Sequence, residues 1–407
     1  MTKQKASTQL FWCLFFVYTI NIIGKTSFSA ATVALIDEAI LTKTQAGFIS
    51  GVFWLLYAVG QFAGGFVTNQ MSCYTMINIT IVGSAASNLM MAFTEDYFFM
   101  LIAWSFGGII QFGMWPAILK LISTEIVASQ RISVMGRLAF CYCLGSILSY
   151  IFTAFILATL SWNYIFICCG IITGISILGS LYAAQRLSPI LREEETRTET
   201  ASRMQGKLTW DIVWKSELIF FCVLMLIKGI ADTGIKNWMP TIMMETYGAS
   251  PSFTSLLSVV LLFTNIFGVV LCTKIYDRVR CDELITLRIL YILIVPMLLL
   301  LLNFTNMNIY ITTILMSGIT IAIYGSGQIL QMNYPGRFQM WGLTATVGGI
   351  INCFAAFGNV IATYGSGFIA DRLGWNAMII IWNVLIILFV VLTILMIPKW
   401  NKFRRRE

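Results

Sequence analysis

Residues 376–397 read NAMIIIWNVLIILFVVLTILMI, a run of 22 residues that contains no charged side chain. The hydrocarbon core of a bilayer is about 30 Å thick, and an α-helix needs roughly 20 mostly apolar residues to cross it. Eleven other stretches pass the same test, and they are longer and more continuous than the alternating strands of a membrane β-barrel. We therefore predict an all-α polytopic membrane protein with 12 transmembrane helices.

The first of these stretches resembles a signal peptide, because Ser27–Ala31 looks cleavable. Eleven further spans follow it, so we expect a retained helix. The predicted spans are 9–35, 45–68, 74–93, 97–122, 132–158, 163–184, 216–243, 252–274, 284–302, 308–333, 341–368 and 376–397.

Composition narrows the function classes. The 407 residues are 58% hydrophobic and 11% charged, whereas soluble domains carry about 25% charged residues. This argues against a soluble enzyme, and without a basic, polar run we expect no nucleic-acid partner. Histidine is absent, which removes the commonest catalytic base and metal ligand, and no pair of cysteines has metal-site spacing. We expect no metal site, no cofactor and no enzymatic activity.

The basic residues are distributed unevenly between the two sides of the predicted bundle. An even number of spans puts both termini on one side, which carries 21 of the 26 lysines and arginines, while the other side carries three. Cytoplasmic loops are enriched in lysine and arginine, so we expect both termini in the cytoplasm. We expect a monomer in the lipid bilayer, in a bacterial cytoplasmic (inner) membrane.

The chain also repeats itself. A charged interruption at 185–212 divides it into a six-helix half at 1–184 and a second at 213–407. The tetrapeptide LSWN at 160–163 recurs as LGWN at 373–376, offset by 213 residues, and Gly145 recurs as Gly358. Two pseudo-symmetric halves are typical of secondary transporters, which bind their solute near the midplane of the membrane.

Short motifs in most spans carry a family resemblance. They are Lys25–Phe28 (KTSF), Tyr57 with Gln61, Gln111–Pro116 (QFGMWP), Gln130-Arg131, Trp238 with Pro240, Gly367–Gly374 (GFIADRLG) and Trp375-Asn376. With these motifs the chain resembles the major facilitator superfamily and, within it, the organophosphate/phosphate antiporters. The organic anion:cation symporters resemble residues 20–25 almost as well. The resemblance implies a transporter with two six-helix halves.

Lys25 is the first candidate for solute binding. It is the only charged residue between Lys5 and Asp37, too deep to reach either membrane surface easily, and a buried charge in a membrane usually faces a cavity or a partner. The resemblance implies that this position binds the phosphate of the substrate through an arginine. Lysine keeps the charge but loses the bidentate geometry of a guanidinium.

The seventh span carries Lys228, Asp232 and Lys236 on one helix face. One alternative is that the three residues form a ladder of ion pairs along the helix that neutralises itself. The other is that Asp232 meets Lys25 from the opposite half, because Asp232 lies 207 residues after Lys25, which is close to the offset of the repeat. The resemblance implies a second phosphate-binding arginine at position 232, which this chain lacks. A monoanion or a zwitterion therefore suits it better than a phosphate monoester.

Further polar and aromatic residues inside the spans complete the set of candidate solute-binding residues. Amide and hydroxyl groups bind sugar-like hydroxyls, but they also bond helix to helix. The candidates are Asn21, Tyr57, Gln61, Gln111, Tyr142, Tyr324, Gln328, Asn352, Asn359 and Trp115. The resemblance implies that Gln61, Gln111 and Tyr142 line the pore.

The mode of coupling is the last expectation. In the anion:cation symporters acids occupy the positions of Gly24 and Gln111, and Asp232 is the only deep carboxyl group of this chain. Exchange or facilitated diffusion of a small phosphorylated or carboxylated metabolite is thus favoured. Proton- or cation-coupled symport and a transporter-like solute sensor are the alternatives.

Overall fold

In the computed structural model, the described residues are 3–67, 71–126, 128–192, 209–338 and 343–404, and within them all regular elements are helices. The helices coincide with the twelve predicted spans and confirm the fold class. Over the described residues the chain packs as two compact units. One comprises Met1–Leu41, Val52–Ala201 and Pro251–Leu256, and the other Thr42–Gly51, Ser202–Ser250 and Leu257–Glu407. The predicted linker at 185–212 lies outside the described residues from 193 to 208.

The N-terminal half of the sequence contains nine helices among the described residues. A 3₁₀ turn at Gln111–Gly113 joins the fourth to the fifth, and a π-helical turn at Ala183–Leu187 joins the eighth to the ninth. The helices are α1 Lys3–Asp37, α2 Lys43–Val67, α3 Cys73–Ala92, α4 Tyr97–Ile110, α5 Met114–Glu125, α6 Ala128–Leu157, α7 Asn163–Ile175, α8 Ile177–Tyr182 and α9 Ser188–Arg192.

The C-terminal half contains eight helices among the described residues. They are α10 Trp210–Lys215, α11 Leu218–Tyr247, α12 Pro251–Arg278, α13 Glu283–Leu301, α14 Ile309–Gln328, α15 Tyr334–Gly336, α16 Thr344–Leu395 and α17 Ile397–Arg404. Helix α16 holds two predicted spans, which Gly374 separates with φ 78° and ψ 173°. This backbone conformation is open to glycine and costly for other residues.

Membrane-crossing length and apolarity are met by ten helical segments of the described chain. One of them, Thr346–Leu395, contains both spans of α16, and α2 coincides with the second predicted span. The fold is thus the twelve-helix arrangement expected from the sequence.

The repeated glycines Gly145 and Gly358 serve close helix packing in their own units. A Cβ atom on Gly145 would lie 2.7 Å from the Cβ of Ile22 on α1, and a Cβ on Gly358 would lie 2.7 Å from the carbonyl oxygen of Leu226 on α11. Side chains larger than hydrogen would push these helices apart. The same device therefore joins α1 to α6 in one unit and α11 to α16 in the other.

Candidate functional site

Lys25 lies on α1, and only 9% of it is exposed. Its Nζ lies 3.4 Å from the ring centroid of Tyr57 and 4.8 Å from that of Trp54, both on α2. In the part of the chain that the structure describes, no carboxylate forms an ion pair with it. A desolvated cation over an aromatic face gains about 2 kcal/mol or more, which offsets part of the cost of burial without neutralising the charge. Lys25 is therefore a buried cation whose charge no carboxylate of the described residues neutralises.

Asn21 lies one helical turn before Lys25 and is 1% exposed. Both polar atoms of its carboxamide are buried and have no hydrogen-bond partner among the described residues. Buried amides almost always make hydrogen bonds, because leaving a polar group unsatisfied costs about 1–3 kcal/mol. Asn21 thus offers one donor group and one acceptor on the same side of α1 as the ammonium of Lys25.

Tyr18 extends this face by a further turn, and the sequence analysis missed it. Its ring stacks on that of Trp115, with centroids 5.4 Å apart. The spacing of Tyr18, Asn21 and Lys25 along one helix face is a signal that could have found it. Trp115 consequently packs against α1 next to the Lys25 face.

The other candidates of this unit have mixed placements. The Nε2 of Gln111 donates a hydrogen bond of 3.0 Å to the hydroxyl of Ser84 and is buried, so this amide ties two helices together. Tyr142 is 38% exposed. The side chain of Gln61 and the pair Gln130-Arg131 lie outside the residues described at side-chain level.

In the second unit Lys228, Asp232 and Lys236 form an ion-pair ladder on α11. The Nζ of Lys228 lies 2.8 Å from Oδ2 of Asp232, and Lys236 pairs with Oδ1 of the same carboxylate. The ammonium of Lys236 also lies 4.5 Å from the ring centroid of Tyr324. Asp232 is 8% exposed, so the ladder is a buried cluster of two cations and one anion. It retains one positive charge.

The amide candidates of the second unit make hydrogen bonds between side chains. Gln328 accepts from Thr273 at 3.1 Å, Asn352 accepts from the amide of Gln331 at 3.1 Å, and Asn359 accepts from Thr233 at 2.6 Å. Each bond occupies one acceptor and leaves the amide's NH₂ group for another partner. The structure brings Tyr324 to the ladder directly, while these three amides are engaged with neighbouring side chains.

The family profile described as "Major Facilitator Superfamily" matches residues 14–340. This range covers most of the chain, both charged clusters included. The chain belongs to the major facilitator superfamily. It is an integral membrane protein.

Curated relatives of this superfamily member are distant. The membrane sensor protein UhpC of Salmonella typhimurium is 20% identical over 28% of this chain and 26% of its own length. A probable hexose phosphate transport protein of Chlamydia muridarum is 22% identical over 30% and 27%. The hexuronate transporter of Bacillus subtilis is 22% identical over 64% and 61%. The chain thus spans between 26% and 61% of the lengths of these relatives.

Solved structures share the fold of this chain along nearly its whole length. A bacterial homologue of the human lysosomal transporter Spinster, in an inward-facing and unoccupied conformation, superposes with a TM-score of 0.80 at 12% identity, covering 98% of both chains. The D-xylose–proton symporter gives a TM-score of 0.71 at 14% identity over 96% of both chains. At these identities the likeness concerns the fold.

Proposed function

We propose that this transporter moves a small organic anion or zwitterion, a phosphorylated or carboxylated metabolite, by alternating access. The observation that carries the proposal is Lys25, whose ammonium is buried on aromatic faces without a carboxylate partner in the described chain. A fixed charge in a membrane-spanning helix is costly. Binding the anionic group of a solute would use that charge.

The chemistry around Lys25 favours a monoanion with hydroxyl groups. One lysine is a point charge, whereas phosphate recognition gains most from the bidentate geometry of arginine. Asn21 can exchange two hydrogen bonds with a hydroxyl-bearing solute, and the rings of Tyr57 and Trp54 offer flat apolar surfaces. Among the substrates named for its relatives, a hexuronate therefore fits better than a hexose phosphate.

Exchange or facilitated diffusion fits the second unit better than proton symport. Asp232 contacts an ammonium on either side, and two neighbouring cations stabilise the ionised form of a carboxylate. A proton carrier has to be protonated during the cycle, which this arrangement opposes. In the proposed cycle the ladder supplies a second, switchable charge site, because an incoming anion can compete with Asp232 for Lys228.

The proposed orientation follows the distribution of basic residues. Both termini would lie in the cytoplasm of a bacterium, and the halves at 1–184 and 213–407 would rock as a monomer around the solute, joined by the linker at 185–212. Labelling of a tag at either terminus in intact cells with an impermeant reagent tests this. Labelling of either tag from outside the cell would show that this terminus lies outside the cytoplasm and would contradict the proposed topology.

Counterflow in proteoliposomes tests the transport proposal. Proteoliposomes that contain the purified protein and are preloaded with unlabelled glucuronate are expected to accumulate labelled glucuronate transiently. The substitution Lys25→Ala is expected to abolish this accumulation. Lys274→Ala is the matched control, since Lys274 is an exposed lysine of α12. Counterflow of glucose 6-phosphate, but not of glucuronate, would replace the hexuronate by a phosphorylated sugar. Equal counterflow in wild type and Lys25→Ala would refute the role of Lys25.

A solute sensor is the second candidate function, favoured by the match to a membrane sensor protein. A sensor binds its solute without accelerating exchange. Binding of glucuronate to protein that shows no counterflow would therefore favour the sensor.

A further inference from the structure

A groove of about 560 Å³ lies between α1 and the sixth predicted span, which α7 and α8 form. All three helices belong to the first packing unit. The groove is lined by residues of Gln9–Ile20 on α1 and of Ile172–Tyr182 on α7 and α8, and we name it the α1 groove. Neither segment contains a charged residue, so the walls of the groove are uncharged and mostly apolar.

A break in the sixth span shapes the groove. Helix α7 gives way to α8 at Ser176, whose hydroxyl donates to the carbonyl oxygen of Thr173 at 2.6 Å. Hydrogen bonds of this kind to the preceding turn often bend a helix. Further along, a Cβ atom on Gly179 would lie 3.2 Å from Cγ2 of Val17 on α1. A larger residue at this position would narrow the groove.

The α1 groove lies on the side of α1 opposite the proposed solute site. An α-helix has about 3.6 residues per turn, which places Phe16 and Ile20 roughly opposite Asn21 and Lys25 around the helix. Phe16 and, across the groove, Ile175 are each 58% exposed. Exposed apolar side chains of a membrane-spanning helix face the hydrocarbon of the bilayer. The groove is thus open to lipid and separate from the site of Lys25.

The length of the groove matches one leaflet of a bilayer. At 1.5 Å per residue, Gln9–Ile20 rises by about 16 Å along α1, and Ile172–Tyr182 rises by about 15 Å. The hydrocarbon core of a bilayer is about 30 Å thick, so each leaflet contributes roughly half of this thickness. An acyl chain of one leaflet can therefore lie along the whole groove.

The two ends of the groove differ in polarity. Because the first and sixth spans run in opposite directions, Gln9 and Tyr182 lie at one end and Ile20 and Ile172 at the other. The Oε1 atom of Gln9 is buried and has no hydrogen-bond partner among the described residues, whereas buried polar atoms normally have one. The groove therefore has the polarity of a lipid molecule, with an apolar length and one polar end.

Two basic residues lie one helical turn beyond the polar end. Lys5 lies four residues before the groove on α1, and Arg186 lies four residues after it in the π-helical turn. Residues four apart share a helix face, and both basic side chains are exposed. The sequence contains no acidic residue over 1–36 or 126–192. An anion at this end would therefore meet two positive charges, one of them a guanidinium, which binds phosphate in a bidentate manner.

We propose that the α1 groove binds one anionic phospholipid of the leaflet on the side of the membrane that carries Lys5. One acyl chain lies along the groove, and the phosphate binds between Lys5 and Arg186. The lipid thereby bridges the first and sixth spans and stabilises their packing. In the proposed orientation this is the cytoplasmic leaflet, whose surface is negatively charged. The lipid site itself does not depend on the proposed transport function.

Native mass spectrometry of the detergent-purified full chain, titrated with dioleoylphosphatidylglycerol, tests the recognition of charge. We expect one phosphatidylglycerol to bind roughly tenfold or more tightly than dioleoylphosphatidylcholine, because two basic residues attract its net negative charge. In Lys5→Gln/Arg186→Gln this preference is expected to disappear. The matched control is Lys274→Gln/Arg278→Gln, which removes two exposed basic residues of α12 and is expected to keep the preference.

A pair of cysteine substitutions tests the location of the bound lipid. Cys13 lines the groove and is partly buried, whereas Cys353 is exposed on α16. Cys13→Trp fills the groove with an indole, and Cys353→Trp adds the same side chain in the second unit. We expect phosphatidylglycerol to bind severalfold more weakly to Cys13→Trp and to raise its melting temperature less than that of wild type. Cys353→Trp is expected to behave like wild type.

The basic residues of the double variant are exposed, so that comparison decides even where Cys13→Trp does not fold. Because no solute is added, failure of the hexuronate proposal would leave these results intact. Equal binding of phosphatidylcholine and phosphatidylglycerol to wild type would overturn the lipid site. An unchanged preference in Lys5→Gln/Arg186→Gln would place the bound lipid elsewhere and would overturn it as well.

Discussion

The two buried charge clusters lie in different packing units, and they stabilise buried lysine side chains in different ways. In the first unit a single ammonium, Lys25, lies on the faces of Tyr57 and Trp54. In the second, Lys228 and Lys236 share the carboxylate of Asp232. Aromatic faces stabilise a cation while leaving its charge available, whereas a carboxylate consumes it. Under the proposed function, the first cluster would bind the anion firmly and the second would exchange partners.

The largest effect is expected from a substitution that breaks the second cluster. Asp232→Asn leaves two lysines without their carboxylate, and removing one partner of a buried ion pair costs about 3–5 kcal/mol. We expect a marked fall in the thermal stability of the detergent-purified protein. The control Asp277→Asn changes an exposed carboxyl of α12 and is expected to leave stability unchanged. Equal stability of Asp232→Asn and wild type would mean that the ladder contributes nothing to folding.

Asn21→Leu separates solute binding from stability in the first cluster. The carboxamide has no partner among the described residues, and an apolar residue of similar size removes an unsatisfied polar group worth about 1–3 kcal/mol. We expect a higher melting temperature together with weaker glucuronate binding, measured on the same preparation. A lower melting temperature would show that the amide serves the fold.

The substitutions Tyr57→Leu and Tyr57→Phe test whether the aromatic face of Tyr57 stabilises the ammonium of Lys25. Leucine removes the ring 3.4 Å from Lys25, so we expect a loss of about 2 kcal/mol, seen as a lower melting temperature. Phenylalanine keeps the face and is expected to retain most of the stability. If both substitutions cost the same, the hydroxyl and not the ring face is the important group.

The smallest expected effect concerns a carboxyl outside both clusters. Glu38 follows α1, and burial, together with the nearby charges of Asp37 and Glu95, raises its pKa above the ordinary value of 4.5. Its folded state therefore binds the proton more tightly, so the stability it contributes is present below pH 4.5 and is lost as the pH rises through the raised pKa. Glu38→Gln should be slightly more stable than wild type at pH 7, with no difference at pH 4. Melting curves at both pH values check this, and a wild-type advantage at pH 7 would reverse the sign.

Much of the fold follows from periodicity and length alone. Twelve apolar runs and the LSWN and LGWN repeat predict two six-helix halves, and Lys25 and Asp232 are conspicuous because few charges lie inside the spans. Pairing across helices is different, since Gln328 and Thr273 meet through tertiary packing that no local pattern specifies. The same holds for Lys43, whose two acidic partners lie on helices remote in sequence. Tyr18 was missed because a single tyrosine in an aromatic helix does not stand out.

Direct binding of glucuronate to purified wild type, Lys25→Ala and Lys25→Arg, measured by isothermal titration calorimetry, tests the central claim. The account predicts binding to wild type, a ten- to hundredfold or greater loss in Lys25→Ala, in line with about 1.5–3 kcal/mol for a charge-assisted hydrogen bond, and substantial recovery in Lys25→Arg. Wild-type affinity in folded Lys25→Ala would contradict it.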